Sequence, residues 1–320
     1  MNTEEYILLN NTNIDIEKIE IPNFSDDELN LIESLLEYTR HIQEINQLFR
    51  IFRINLQDIL LHYVLNTDDT IIRKIDLSNK EEDIIIINTL VINYISSAKT
   101  FTASIENFML KKLGENELNN FKTNCLSKIY DERFSYRLLI RLRDYAQHGH
   151  LPVHMSWDKK CSFDLEQILY TPHFNHNKKI QDEIINLKQK IYNKFQDNPR
   201  IMFTMSIAEF QLCIFDIYIY FINTIKKDLV DLINKLDKLI EERPNIIHCS
   251  DDALNGFILY SIKNESVHCF DPKEKPIEMI DNIKIEVENE LEEARKEFQK
   301  LIKSYKFEEG KSNWKIDDNY

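Results

Sequence analysis

Apolar residues recur at helical spacing along most of the chain, and two of these periodic segments begin with the same polar signature. Ser25 and Glu28 have the S-x-x-E spacing in which each side chain can satisfy a free backbone amide at a helix start. An apolar run with helical period follows them, and the same polar pair recurs at Ser78 and Glu81. The pattern predicts one long helix over about residues 26–66 and a second that opens at the later pair.

The middle of the chain combines shorter helical patterns with an irregular segment. The second helix is predicted to run to Lys112, and helical spacing then covers residues 116–129 and 131–148. Residues 150–177 contain two prolines and a mixed cluster without a clear period, so they predict irregular structure. A further helix is predicted over about residues 178–195.

A third S-x-x-E pair, Ser206 and Glu209, predicts the start of a long helix that ends near Glu242. Its segment 207–222 is apolar but contains charged residues and is too short to span a membrane. This segment therefore predicts a buried central helix. Asp216, within it, is predicted to be a paired core or interface group, because an unpaired carboxylate is costly to bury.

The C-terminal part of the chain has a different pattern of residue types. Residues 256–263 and 266–270 are rich in β-formers and predict a small hairpin, while short strands are predicted at 6–9 and 14–21. The last helix has apolar residues spaced four and three apart, which suits docking on another helix or on a partner chain. This seam, residues 287–301, consists of Val287, Leu291, Ala294, Phe298 and Leu301.

Glycine and proline are scarce, and this scarcity indicates the fold class. The chain has 4 glycines and 7 prolines in 320 residues, and these residue types end helices and build β-turns. The sequence therefore predicts an all-α protein, a bundle of long antiparallel helices with a small C-terminal β-hairpin and a final long helix. The predicted divisions are an N-terminal extension (1–24), a helical domain (25–245) and the hairpin with the last helix (246–320).

Charge and cysteine usage restrict the partners and the compartment. The formal net charge of -14 disfavours non-specific coating of nucleic acid or anionic membranes, so any contact with nucleic acid must be local. The 5 cysteines are odd in number and never form a CxxC pair, which favours reduced thiols. The first residues lack the basic stretch of a signal peptide, and the expected location is the cytosol.

Polar residues gather on one side of the helix predicted over 131–148. Arg133, Arg137 and Arg141 follow one another at i+4, and Asp144 and His148 continue the same face. The stretch holds four arginines against three acidic residues, which is unusual in a protein of net charge -14. It is therefore a candidate local site for an anion.

The end of this helix is marked by glycine. Arg143 lies on the opposite flank of the polar face, with Gln147 between it and His148, and Gly149 follows at once. Glycine is the usual residue just past a helix end, so His148 is expected in the last turn, where the carbonyl dipoles favour an imidazolium. A histidine near neutrality can act as both base and acid.

The string from Leu142 to Pro152, which reads LRDYAQHGHLP, resembles the signature of HEPN domains. That signature is an arginine, a polar residue and then a histidine, and here four positions separate Arg143 from His148. Asp144 stands where asparagine is commoner. The resemblance covers residues 80–245 at most, and it implies a bundle of about four or five helices, usually dimeric. Many such domains are metal-independent endoribonucleases of toxin–antitoxin, phage-defence and CRISPR systems.

The resemblance also implies roles for single residues. His148 would take the proton of the ribose 2′-OH, Arg143 would stabilise the charge on the phosphorane oxygens, and Asp144 would orient the imidazole. RNA would be the partner, the chain would form a homodimer with a protein regulator in some systems, and neither metal nor another cofactor would take part. Substrate contacts are expected from Arg133, Arg137, Arg141, Gln147 and His150.

Other interpretations compete with catalysis. A HEPN-like chain can be a silent interaction or sensor protein, and Arg143 and His148 can simply cap helix carbonyls and pair with acids. A catalytic site requires their face to be open, whereas a structural role leaves it packed or paired. His148, His150 and His154 could also be taken for metal ligands, but their spacing matches no known metal motif.

Overall fold

The computed structural model of the chain describes most of its helices and several short strands. The described residues are 6–8, 26–67, 80–155, 161–163, 178, 181–182, 185, 200–242, 257–261, 266–270 and 275–304. Within the chain, two compact units are each built from two sequence segments, Met1–Glu44 with Phe221–Glu286 and Ile45–Tyr220 with Val287–Tyr320. The division therefore does not follow the segments 25–245 and 246–320 that the sequence predicts.

The chain is predominantly helical, which confirms the predicted all-α class. The helices are α1 (Asp26–Thr67), α2 (Lys80–Phe108), α3 (Glu115–Phe121), α4 (Lys128–Glu132), α5 (Phe134–Gln147), α6 (Arg200–Glu242) and α7 (Lys275–Ser304). Wider π-helical turns at Met109–Leu113 and Lys122–Ser127 extend α2 and join α3 to α4. The helix predicted over 178–195 falls almost wholly outside the described residues.

Two of the three predicted helix starts agree with the structure. Helix α1 begins at Asp26, one residue after the predicted cap Ser25, and α2 begins at Lys80, two residues after Ser78. Both serines themselves lie outside the described residues. The long helix α6 ends at Glu242, as its pattern predicts.

The third predicted start is wrong. Helix α6 begins at Arg200, so Ser206 and Glu209 lie inside it, and both are buried. A capping box works only where the first amides of a helix lack partners, and at position 206 those amides are already bonded within the helix. Glu209 instead bonds to a different helix.

The predicted helix over 131–148 is interrupted once. Arg133 has an extended backbone, with φ -110° and ψ 110°, and it separates α4 from α5. The last helical residue is Gln147 and His148 is the C-cap, so the predicted helix end is confirmed. Residues 134–147 form a separate helix of their own.

The predicted C-terminal hairpin is confirmed. Strand β4 (Phe257–Ser261) pairs antiparallel with β5 (Ser266–Phe270), and β1 (Tyr6–Leu8) adds to the other edge of β4. The second strand predicted near the N-terminus, at 14–21, lies outside the described residues. Strands β1, β4 and β5 belong to the first unit.

A second, smaller hairpin lies where irregular structure was predicted. Strand β2 (Val153–Met155) pairs antiparallel with β3 (Cys161–Phe163). Strands of three residues are too short to show a period of two, which explains why the sequence pattern does not reveal them.

The core of the second unit is rich in aromatic side chains from α1, α2 and α6. The ring centroid of Phe49 lies 4.5 Å from that of Tyr218 and 5.2 Å from that of Phe215. Phe52 stacks on Tyr94 at 4.9 Å between centroids. Such rings bury large apolar areas and prefer offset or edge contacts, so they fix how the three helices pack.

The seam of α7 is used inside this same unit. Val287, Leu291 and Phe298 are buried. Arg295 Nη2 lies 3.1 Å from Asp216 Oδ1, which confirms the prediction that Asp216 is a paired group. Burial raises the pKa of Asp216, and the charge of Arg295 opposes that rise. The seam therefore packs within the chain.

The first unit has a smaller described core. Tyr38 of α1 is buried, and its hydroxyl donates a hydrogen bond to the carbonyl oxygen of Ile225 at 3.2 Å. Burial raises the pKa of Tyr38, with the nearby charge of Asp228 acting in the same direction. Lys226 pairs with Asp281 of α7.

Two helical stretches are long and apolar enough to cross a membrane by length and composition. They are Glu81–Leu113 and Phe203–Leu239. In the second, 72% of the apolar window is buried inside the fold, compared with 39% in the first. Buried core helices of soluble proteins have the same length and composition, and the prediction that 207–222 is a buried central segment is confirmed.

Candidate functional site at the end of helix α5

The first half of α5 is enclosed by the fold. Six consecutive residues are buried, namely Phe134, Ser135, Tyr136, Arg137, Leu138 and Leu139. A helix that is buried all round has neighbours on every side, whereas an amphipathic helix is buried along one stripe. The two-sided pattern expected from the sequence therefore holds only for the second half of the helix.

Glu209 of α6 holds the start of α5. Its Oε2 accepts a hydrogen bond from the Ser135 backbone N–H at 3.1 Å and another from the Ser135 hydroxyl. Ser135 is the second residue of α5, so its amide is one that the helix itself cannot bond. A carboxylate at this position also complements the positive end of the helix dipole. Glu209 thus caps a helix that is remote in sequence.

The Glu209 carboxyl is fully enclosed, and its surroundings shift its pKa in opposite directions. Burial raises the pKa of Glu209, while the hydrogen bonds from Ser135 and the charges of Arg133 and Arg137 act to lower it. The sequence pattern does not reveal Glu209 as part of the α5 environment. A charged residue in an apolar helical run was the available signal, since such a residue needs a partner from elsewhere in the fold.

Arg137 is part of the fold and does not belong to an open face. Arg137 is only 2% exposed. Its guanidinium donates a hydrogen bond to the carbonyl oxygen of Tyr130 and lies 6.0 Å from the centre of the Tyr130 ring. The predicted stripe of Arg133, Arg137 and Arg141 is therefore not continuous. The stripe is broken because the first half of α5 is buried. The burial of Arg137 is at odds with the prediction that it contacts a substrate.

The second half of α5 presents its charged residues to solvent. Asp144 lies between two guanidinium groups, with Arg141 Nη1 3.8 Å from its Oδ2 and Arg143 Nη1 3.7 Å from its Oδ1. These distances exceed hydrogen-bond length, and ion pairs at such partly exposed positions contribute little stability. The arginines are therefore only loosely engaged.

Arg143 has hydrogen-bonding capacity to spare. Its side chain is 29% exposed, yet its Nε is buried and has no hydrogen-bond acceptor in the described part of the chain. A buried donor without an acceptor is costly, and at functional sites a ligand can supply the missing acceptor. The exposed part of this guanidinium can contact an anion, whereas its Nε is enclosed.

His148 ends the helix and is exposed. Its backbone N–H donates to the carbonyl oxygens of Asp144 at 3.3 Å and Tyr145 at 3.2 Å, and Gly149 N–H donates to Ala146 at 3.0 Å. Gly149 has φ +86°, the left-handed conformation that glycine adopts without strain just past a helix end. The predicted role of Gly149 is confirmed, and Gln147 and His148 are both exposed at the helix end.

The chain after Gly149 is tied down at two points. The ring of His150 stacks on Tyr145, with 4.6 Å between centroids and 20° between planes. Asn88 of α2 then binds Val153 twice, donating from Nδ2 to its carbonyl oxygen and accepting from its N–H, both at 2.9 Å. The role of Asn88 was also not predicted from the sequence, although Asn88 is a buried polar residue within an apolar run.

The structure thus gathers some of the predicted site residues and separates others. Arg141, Arg143, Asp144, Gln147, His148 and His150 all lie at the C-terminal end of α5. Arg133, the half-buried N-cap of the same helix, and the buried Arg137 lie at its other end. At about 1.5 Å per residue, Arg137 is roughly 16 Å from His148 along the axis, so one phosphate cannot contact both.

Within the described residues, no three His, Cys, Asp or Glu side chains are placed to hold a metal ion together. His148, His150 and His154 belong to no such group.

The comparisons with known proteins leave the motif as the basis for any assignment. No family model, curated protein or solved structure matches this chain. The resemblance to HEPN domains therefore rests on the residues of the motif.

Proposed function

We propose that this protein is a metal-independent endoribonuclease of the HEPN type, with its active site at the C-terminal end of α5. One observation carries the proposal. An exposed histidine, His148, ends a glycine-closed helix five residues after Arg143, whose side chain is partly exposed and only loosely paired with Asp144. A base and an anion-binding cation are the two groups that cleavage of RNA by its own 2′-OH requires.

The chemistry follows from these two groups. His148 takes the proton from the ribose 2′-OH, and the 2′-oxygen forms a bond to the adjacent phosphorus. Arg143 neutralises the charge that develops on the non-bridging oxygens. The bond from phosphorus to the 5′-oxygen then breaks, and that oxygen leaves with a proton. The products are a 2′,3′-cyclic phosphate and a free 5′-hydroxyl, and no step requires a metal ion.

Binding of RNA to so acidic a protein depends on local charge. The chain carries a formal charge of -14, so its overall field repels a polyanion. Arg141 and Arg143 are both partly exposed and only loosely paired with Asp144, and the exposed Gln147 lies between the arginine and histidine edges. A bound phosphate can replace Asp144 as the partner of these arginines. The family resemblance suggests a cytosolic toxin, antiphage or stress-response role.

A symmetric dimer completes the proposed site. Arg143 and His148 are about 140° apart around α5, so one chain presents them on two edges of a surface. A two-fold axis beside α5 would bring the arginine edge of one protomer to the histidine edge of the other. The α7 seam is buried within the chain, so the apolar contacts of such a dimer must come from elsewhere. Leu151, which is 55% exposed next to the site, is available for this purpose.

The dimer is tested by light scattering of the protein without RNA. A species of twice the chain mass of 38.3 kDa is expected at micromolar concentration. A monomer that still cuts RNA, or a dimer with the two α5 ends on opposite outer faces, would show that the composite site is wrong.

The activity is tested by incubating purified protein with a mixed RNA pool and with DNA of the same sequences, each with and without EDTA. Wild-type protein is expected to cut RNA in the presence of EDTA, to leave 2′,3′-cyclic phosphate ends and to spare DNA. His148→Ala is expected to be inactive, and His154→Ala, which changes an exposed histidine on β2, serves as the matched control. Activity lost on chelation, or equal cutting of DNA, would contradict the mechanism.

A non-catalytic HEPN-like interaction or sensor protein is the second candidate. One observation favours it, namely that Asp144 already lies between Arg141 and Arg143 and partly neutralises them. Under this alternative, the protein binds RNA or a protein partner without cutting. RNA that is retained intact by wild-type protein, with binding that His148→Ala does not change, would select this candidate over the nuclease.

A further inference from the structure

A second imidazole lies next to His148 on the same edge of the site. His150 follows the left-handed Gly149 and its ring stacks on Tyr145. At about 100° per residue, Tyr145 is about 60° from His148 around the helix and about 160° from Arg143. The stacked ring of His150 is therefore held on the histidine edge, away from the arginine edge.

His150 is held in place from both directions along the chain. The hydrogen bond from Gly149 N–H to Ala146, 3.0 Å long, fixes the turn before it. The two bonds between Asn88 and Val153 fix the chain three residues after it to helix α2. Tyr145 is fully buried, so the surface on which the His150 ring rests belongs to the core. A group positioned in this way can react without a large entropic cost.

We infer that His150 is the general acid of the cleavage reaction. It donates a proton to the departing 5′-oxygen while His148 accepts the proton of the 2′-OH. The electron pair of the broken P–O5′ bond stays on that oxygen, which leaves as a hydroxyl, and the two imidazoles exchange protons with water before the next turnover. This inference rests on the proposed ribonuclease function and assigns the proton donor that the function leaves open.

The neighbouring residue types leave little choice for this role. No lysine or cysteine occurs in the sequence between residues 129 and 158. Tyr145 is enclosed behind His150, and Gln147 has no proton that titrates near neutral pH. His154 lies on β2, beyond the point where Asn88 holds the chain. His150 is half-buried, between full enclosure and full exposure, so its free edge can reach a bound substrate.

The test compares two RNA oligonucleotides with a single cleavage site. One is ordinary RNA, and in the other a sulfur atom replaces the bridging 5′-oxygen at that site. A thiolate leaves without being protonated, so the second substrate does not need a general acid. The variants are His148→Ala, His150→Phe and the control His154→Ala. Phenylalanine at position 150 keeps a ring to stack on Tyr145 but carries no proton to donate.

On ordinary RNA, His150→Phe is expected to lower the cleavage rate by roughly 10²- to 10⁴-fold, the usual contribution of a general acid. On the sulfur substrate its rate is expected to return close to that of the wild type. His148→Ala should remain slow on both substrates, because it lacks the base. His154→Ala should match the wild type on both.

Two outcomes would overturn the inference while the nuclease assignment stands. One is a His150→Phe variant that is equally slow on both substrates, and the other is a variant as fast as the wild type on ordinary RNA. If His150→Phe melts well below the wild type, His150→Asn is measured in its place. A wild-type protein that cuts neither substrate would instead refute the proposed function itself, so the two failures are distinguishable.

Discussion

The two ends of helix α5 carry similar residue types in opposite environments. At the start, Ser135 and Arg137 are buried, and each bonds to a neighbouring element through Glu209 or Tyr130. At the end, Arg143 and His148 reach solvent. The same residue type, arginine, is thus a buried group of the fold at position 137 and a partly exposed group at 143. Burial, and not residue type, decides which role it has.

The contrast indicates that the two ends of this short helix have different roles. The buried end anchors α5 to α6 through a carboxyl that caps its free amides. Breaking such a buried polar contact is costly, because the remaining partner cannot find water. The exposed end contributes little to stability and can therefore carry groups chosen for chemistry. A start that is fixed by buried contacts restricts the orientation of the exposed end.

The largest expected effect is on catalysis at the exposed end. His148→Ala and Arg143→Ala should each lower the rate of RNA cleavage by two or more orders of magnitude, on the order of 3 kcal/mol in the barrier. The melting temperature should hardly change, because His148 is exposed and Arg143 is only loosely paired. Cleavage rates and thermal melts of both variants provide the measurement. Strong destabilisation with intact activity would mean that this end is structural, like the other.

The second effect concerns the stability of the buried end. Glu209→Ala removes the acceptor of Ser135 and is expected to lower the free energy of unfolding by about 1–3 kcal/mol. Denaturant titration measures this loss of stability. Glu292→Ala is the control, because Glu292 is 62% exposed and pairs with the exposed Lys296. An equal, small effect of both variants would show that the Glu209 contact does not hold α5.

A smaller, pH-dependent effect separates the charge of Glu209 from its hydrogen bonds. Burial raises the pKa of Glu209 above its ordinary value of 4.5, so the folded state binds the proton more tightly than the unfolded state. The wild type should therefore lose stability as the pH rises above about 4.5, relative to Glu209→Gln, which cannot ionise. Denaturant titrations of both proteins at about pH 4 and pH 7 test the sign. Parallel profiles would contradict it.

The smallest expected effect is at Arg141, which is partly exposed and loosely paired. Arg141→Ala should change the free energy of unfolding by less than about 0.5 kcal/mol. It should weaken RNA binding and reduce the slope of log affinity against log salt by about 1. Arg137→Ala, one helical turn earlier, is the matched variant and should instead lower the melting temperature. Identical behaviour of the two variants would remove the distinction between the ends of α5.

The sequence by itself determined the local elements. Helical periodicity located α1, α2, α6 and α7, and alternating β-formers located the β4–β5 hairpin, because these patterns reflect which side of an element faces the core. Gly149 marked the end of α5, since few other residues adopt its backbone conformation. The motif residues at that end were visible because they are neighbours in the chain.

Only the tertiary structure decided which polar groups are used inside the fold. The capping of α5 by Glu209, the enclosure of Arg137 and the hold of Asn88 on Val153 each join residues far apart in sequence or depend on neighbours from other helices. Local periodicity reports one helix face at a time, and it cannot show a helix surrounded on all sides or a carboxyl that crosses to another helix. Those facts depend on three-dimensional packing, where burial sets the cost of every unpaired polar group.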